Sequence, residues 1–169
     1  MIYRVKYWPD PALREIADVI TDFEEIQKVN DELFETMYAQ RGIGLSATQC
    51  AIKKRIFVMD TLMDGTGQKE TFINPTIKEN EGSIIYPEGC LSFPNIYVNV
   101  ERASKILISY TNIDGEAKEQ ELEGLDAVCA QHELDHLNGI VFFDYLSGAK
   151  RQRAEQKLRK ELKRKRKQK

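Results

Sequence analysis

Apolar residues recur at helical spacing in three stretches of this 169-residue chain, with strand-like runs between the first two. Phe23, Ile26, Val29, Leu33 and Met37 lie three or four apart, the repeat of one helix face, and Thr21 followed three residues later by Glu24 is a capping-box start. Gly42 would stop that helix. A second stripe, Leu125, Val128, Cys129, His132 and His136, predicts a buried helix over 125–138 closed by Gly139. In the third, Ala154, Leu158 and Leu162 draw a thin apolar line along an otherwise basic helix that follows Ser147.

Between the first two helices, residues 55–60 and 71–77 read as strands joined by a turn through Asp64-Gly65-Thr66-Gly67. Residues 83–86 read as another strand, which turn residues from Pro87 to Ser92 interrupt. Strands over 97–100 and 105–111 follow, and Asp114-Gly115 closes a hairpin onto 116–122. Short strands in hairpins, without alternating helices, predict an α+β fold: antiparallel sheets around a central buried helix, with an N-terminal helix and a basic C-terminal helix. Residues 1–146 then form one domain and 147–169 a basic helical extension.

Composition adds limits to this picture. The 31% charged and 41% hydrophobic residues are ordinary for a soluble chain, and no apolar run approaches the roughly 18 residues that cross a bilayer. The N-terminus has no continuous apolar segment, so the cytoplasm is the expected location and a membrane is not an expected partner. Cys50, Cys90 and Cys129 are an odd set with no disulfide-framework spacing, which suits reduced thiols. Charge changes the picture more. Residues 151–169 hold eleven Lys/Arg and two Glu, so the first 150 residues carry a net charge of −11 against −2 for the whole chain. The tail is a separate electrostatic object, either a solvated extension or a phosphate-binding footprint.

Candidate chemistry concentrates in Gln131-His132-Glu133-Leu134-Asp135-His136, which holds the only two histidines. On a helix the two imidazoles sit one turn apart, about 6 Å along the axis, and both continue the apolar stripe inward. Buried imidazoles with a Glu beside the first suit a divalent metal and a carboxylate that takes a proton from water. A third ligand is needed, and Cys129 is too far: its Cα lies about 7.5 Å along the axis from the midpoint of the histidines, beyond the about 4–5 Å that a cysteine reaches. Cys50 and Cys90 both remain, with position favouring Cys90 because a Pro-Glu-Gly turn can present its sulfur and the next amide. The stretch Gly42-Ile-Gly-Leu-Ser-Ala-Thr-Gln-Cys50 follows a helix and lacks a third glycine, so it is not a dinucleotide fingerprint. Its glycines suit positive φ at a helix end or the close approach of an extended ligand, and the sequence does not choose between them.

Three segments, Gly42-Ile-Gly-Leu-Ser-Ala-Thr-Gln49, Glu88-Gly-Cys-Leu-Ser92 and Gln131-His-Glu-Leu-Asp-His136, in this order and spacing resemble the signature motifs of the bacterial peptide deformylases, and the likeness runs over nearly the whole chain. Ser46 departs from the alanine usual in that family, an expected change in packing only. The resemblance implies a metal-dependent hydrolase that removes the N-formyl group from the initiator methionine of nascent chains and releases formate. It implies Cys90, His132 and His136 as metal ligands, Glu133 as the catalytic carboxylate, and the Gln49 side chain with the Leu91 backbone N–H as oxyanion donors. It also implies that substrate lies along Gly44, with the methionine side chain near Ile43, Tyr86, Leu125, Val128 and Cys129. Glu88, grouped with these substrate-side residues, is expected to pair with Arg102 and hold the Cys90 loop, and Asp135 to support the site. Thiolate and imidazole ligands suit Zn(II); the resemblance favours Fe(II) for activity, and Ni(II) fits the same set. The basic helix would dock to the ribosome near the nascent-chain exit, and no specific DNA is an expected partner. The alternatives are an H-E-x-x-H metallopeptidase and a catalytically silent ribosome-binding protein.

Overall fold

The computed structural model describes residues 1–62 and 67–168; Asp64, Gly65 and Thr66 of the first expected turn lie outside them. In chain order the elements are α1 (Ile26–Ala39), β1 (Gly44–Ser46), β2 (Ile56–Asp60), β3 (Lys69–Glu81), β4 (Ile84–Cys90), β5 (Phe93–Arg102), β6 (Lys105–Thr111), β7 (Ala117–Glu123), α2 (Gly124–Leu137) and α3 (Gly148–Lys167). Short 3₁₀ turns cover Pro11–Arg14, Ala47–Cys50 and Phe142–Tyr145. Strands β1, β2, β3, β6 and β7 form one antiparallel sheet in that spatial order, and β4 pairs with β5 alone. This is the α+β architecture, with α2 at its centre.

Burial follows from which face each residue occupies. On β2, Phe57 and Met59 face the helix α2 cluster of Ala127, Ala130, Leu134 and Leu137, while Ile56 and Val58 face α1 through Val29, Leu33 and Met37. A strand covered on both faces reads as a continuous apolar run, as Ile56 to Met59 does. Strand β6 alternates instead, with Ile106, Ile108 and Tyr110 turned inward. A third cluster joins β5 to the Phe142–Tyr145 turn and to α3 through Phe93, Val98, Phe142, Phe143 and Leu158. Leu158 is 2% exposed. Burying one leucine is worth about 1.5–3 kcal/mol, more than the roughly 0–1 kcal/mol of a surface ion pair, so apolar contact holds α3 in place. Its later turns are tied to the start of β5 by a hydrogen bond from Asn95 Nδ2 to Glu161 Oε2 at 3.0 Å.

Three local expectations are corrected. Helix α1 begins at Ile26 with no side-chain cap, because Asp22 Oδ1 accepts the Glu24 N–H at 2.9 Å and holds that segment in a turn; Phe23 is 40% exposed. Its end is a Schellman motif in which Arg41, not a glycine, takes the left-handed position at φ 58°, with the N–H groups of Arg41 and Gly42 bonded to the carbonyls of Tyr38 and Met37. Strand β4 runs on through Pro87, Glu88, Gly89 and Cys90, in register with Asn99, Val98, Tyr97 and Phe93. Proline is tolerated there because β4 has only one neighbouring strand and its other edge needs no N–H donor.

Candidate metal centre

Helix α2 places His132, Glu133 and His136 opposite Cys90 at the end of β4. Its register is pinned at the C-terminus, where the N–H groups of Gly139 and Ile140 bond to the carbonyls of His136 and Asp135 at 3.1 and 2.9 Å. Gly139 has φ 72°, and a Cβ there would meet the Arg14 carbonyl at 2.7 Å, so no other residue closes this helix as easily.

The three donor atoms converge. Cys90 Sγ lies 3.3 Å from His136 Nε2, His136 Nε2 lies 3.2 Å from His132 Nε2, and all three fall within 4.8 Å of one another. A tetrahedral ion with bonds of about 2.0–2.3 Å holds its ligand atoms roughly 3.3–3.8 Å apart, so this set fits one divalent metal with little movement. Burial and the neighbouring His132 hold the His136 imidazole well below its usual range, which keeps it neutral. Burial acts on His132 in the same sense, but Cys90 and Glu88 raise it well above that range. Both Nε2 atoms face one point beside Cys90 Sγ, the arrangement a shared cation would occupy.

The other thiols stand apart. Cys50 packs under α1, where burial pushes its thiol up to about 12, and burial raises Cys129 well above the ordinary thiol range. Cys129 Sγ is directed at the Ile43 carbonyl, 3.8 Å away. Among the described residues the one group that could hold a metal ion is Cys90, His132 and His136.

A buried ion network orients the first histidine. Glu88 Oε1 lies 2.8 Å from His132 Nδ1, which leaves Nε2 as the free lone pair toward Cys90. The same carboxylate receives Arg102 Nη2 at 2.9 Å and Nε at 2.8 Å, and Arg102 Nη1 donates to Asp135 Oδ2 at 2.6 Å. Tyr145, which the sequence did not single out, donates its hydroxyl to the same Asp135 oxygen at 2.6 Å. Burial alone would raise Glu88, but the hydrogen bonds of Arg102 and His132 hold it below the usual carboxylate range. Both its oxygens are thus engaged, and Glu88 faces Arg102 and His132 although it also borders the cavity. Arg102 had a legible signal: it is the fourth inward position of β5 after Ile96, Val98 and Val100.

Glu133 is buried, and its Oε2 has no hydrogen-bond partner among the described residues. Burial pushes its carboxyl up to about 7, with His132 pulling the other way. Gly44 lies against it without positive φ; a Cβ at this position would stand 2.7 Å from Glu133 Oε1 and 2.8 Å from Cys129 Sγ. Close approach, not a helix cap, is what this glycine provides. Gly44→Ala is expected to displace Glu133 and lower turnover by about tenfold or more while shifting the melting temperature by only a few degrees, measured by steady-state kinetics and thermal unfolding. Loss of fold with no separate kinetic effect would count against this.

Gln49 is buried behind Cys90, with its Nε2 3.1 Å from Ser92 Oγ and 3.6 Å from Cys90 Sγ. Leu91 borders a cavity of about 540 Å³ together with Ile43, Gly44, Tyr86, Glu88, Cys90, Leu125, Val128, Cys129, His132 and Glu133. The residues grouped from the sequence as substrate-side are therefore brought to one hollow, while Gln49 and His136 lie behind its wall. The rim adds Arg41, Tyr97 and Lys165, which the sequence did not mark. No motif carries them; they come together only through the α1 end, the β5 strand and α3.

Comparison with known proteins bears on the family and the fold. Residues 2–152 match the family described as polypeptide deformylase. The chain is 46% identical over 160 residues to a peptide deformylase of Alkalilimnicola ehrlichii, covering 94% of this chain and 90% of that relative. Its fold is similar to the crystal structure of a peptide deformylase from Legionella pneumophila, with a TM-score of 0.93 and 39% identity over 100% of this chain and 99% of the other. It is also similar to the enzyme of that name from Thermus thermophilus, with a TM-score of 0.87, 37% identity and full coverage of both chains.

Proposed function

The chain belongs to the polypeptide deformylase family and is a metal-dependent hydrolase that removes the N-formyl group from nascent polypeptides, and we propose that Cys90, His132 and His136 hold its one divalent ion. The observation that carries this assignment is the convergence of the three donors within 4.8 Å at the foot of the cavity. Family membership sets the metallopeptidase and silent-binder alternatives aside.

When bound, the ion would supply Lewis acidity, lowering the pKa of water and polarising the formyl carbonyl. Glu133 takes a proton from the attacking water at its unpartnered Oε2, and a carboxyl pushed up to about 7 is suited to that exchange near neutral pH. As the water oxygen bonds to the formyl carbon, charge grows on the carbonyl oxygen, and Gln49 Nε2 with the Leu91 N–H are assigned as its donors. Glu133 then returns the proton to the departing amine, the C–N bond breaks, and formate and a free methionyl amine leave. The peptide lies along Gly44, with the methionine side chain against Ile43, Tyr86, Leu125, Val128 and Cys129. Glu88 is assigned to orienting His132, with Arg102, Asp135 and Tyr145 behind it.

The ion we assign for activity is Fe(II), with Zn(II) and Ni(II) able to occupy the same thiolate–imidazole set. Anaerobic purification with metal analysis and a formate-release assay tests this: iron-loaded protein should be the more active and lose activity in air, and equal air-stable activity with zinc would overturn it.

The cytoplasm is the assigned location, and no helix among the described residues is long and apolar enough to cross a membrane. We assign ribosome docking to the exposed basic face of α3. Because Leu158 anchors α3 in the core, deleting the helix would disturb the fold, and neutralisation is the cleaner test. Replacing exposed Arg153, Lys157, Lys160 and Lys163 by Gln should weaken ribosome binding and flatten its salt dependence by up to about four charges, with formate release from a free peptide unchanged. Unchanged, salt-sensitive binding in a co-sedimentation assay would remove α3 from this role.

A further inference from the structure

We infer that the Ser46 hydroxyl is a positioning group for the reaction: it holds the Gln49 amide with its oxygen turned away from the metal ligands and its nitrogen turned toward Cys90. The inference rests on the assignment of Gln49 as an oxyanion donor.

Ser46 ends β1, and the 3₁₀ turn Ala47–Cys50 brings Gln49 back over it. Gln49 Oε1 accepts two hydrogen bonds there, from the Ser46 backbone N–H at 3.0 Å and from Ser46 Oγ at 2.9 Å. A backbone N–H can only donate, so the atom facing it must be the amide oxygen, and the NH₂ must project the other way. That direction is toward Ser92 Oγ and Cys90 Sγ. Both Ser46 and Gln49 are buried, at 0% and 1% exposure, so no bulk water substitutes for either bond.

The backbone bond alone sets which end of the amide faces which way. The hydroxyl adds two things. It removes the remaining torsional freedom of an amide held by one contact, and a second donor on Oε1 draws electron density through the amide so that the NH₂ becomes a stronger donor. A donor beside Cys90 that is oriented and strengthened before substrate arrives has its largest effect when charge develops on the substrate oxygen. Alanine, usual at this position in the family that the motifs resemble, would leave Oε1 with one donor. Expected as a packing change, the serine instead makes a polar contact to a proposed catalytic group.

Ser46→Ala removes one atom and leaves Oε1 still bonded to the backbone N–H, so the fold should persist. In the metal-loaded enzyme, kcat for a formyl-methionyl peptide should fall about three- to tenfold with KM unchanged. In a Gln49→Ala background the same substitution should have no further effect, because the hydroxyl acts through that amide. A separate readout is the Gln49 side-chain NH₂ resonance of the zinc-loaded protein, which should move upfield in Ser46→Ala as the donor weakens. Wild-type kcat in Ser46→Ala beside an impaired Gln49→Ala would overturn the inference and leave the Gln49 reading standing. An equal fold-loss in both backgrounds, or an unmoved resonance, would also overturn it. Wild-type turnover in Gln49→Ala would overturn the Gln49 reading itself, and this inference with it.

Discussion

Replacing Glu133 by Gln is expected to leave one divalent ion bound per chain and to lower formate release by roughly a hundred- to ten-thousandfold. The carboxamide matches the carboxylate in shape, so the contact with Gly44 persists and His132 and His136 keep their places on α2. What is lost is the ability to accept a proton at Oε2, the oxygen that has no hydrogen-bond partner among the described residues. Because the loss concerns proton transfer and not binding, kcat should carry nearly all of it. The measurement is steady-state formate release alongside metal analysis of the same preparation. Near-normal turnover, or a metal-free variant, would each remove Glu133 from the assigned role.

Cys90→Ala should have the other large effect, with metal content falling to a small fraction of an ion per chain and formate release to background. Two imidazoles alone cannot close a three-ligand set, and no other thiol can move in: Cys50 lies in the cluster beneath α1, and Cys129 is directed at the Ile43 carbonyl. Cys50→Ala and Cys129→Ala should therefore retain the ion, whatever they do to packing. Cys90 is only partly buried, so its own replacement should cost little stability. Retention of a full ion by Cys90→Ala, measured by atomic emission on dialysed protein, would contradict the proposed ligand set.

The site was legible in the sequence where one element sufficed to define it. The positions of His132, Glu133 and His136 need only the helical repeat, and the exclusion of Cys129 needs only its rise per residue. Cys90 was harder, because Pro87 and Gly89 read locally as turn residues; their place on a strand with a free edge overrides that preference. The Glu88–Arg102 pair was expected from the resemblance, but the bond from Arg102 to Asp135 was not legible, because it joins β5 to α2 across the fold. The Ser46–Gln49 pair carried a local signal that went unread: Ser46-x-x-Gln49 has the spacing of a capping box, and the Ala47–Cys50 turn closes it. Helix α1 shows the converse: Thr21 and Glu24 have the spacing of a cap, but Asp22 captures the N–H that the cap would have used.

The docking of α3 against β5 has a consequence for how this molecule meets large anions. Residues 151–169 carry eleven Lys/Arg against two Glu, and the rest of the chain is net negative, so a rigidly attached basic helix gives the molecule a permanent electric dipole. The positive end of that dipole reaches the cavity, because Lys165 belongs to α3 and also borders the rim. A polyanionic surface would therefore exert a torque on the approaching enzyme before any contact forms. That torque turns α3, and with it the rim residue Lys165, toward the surface.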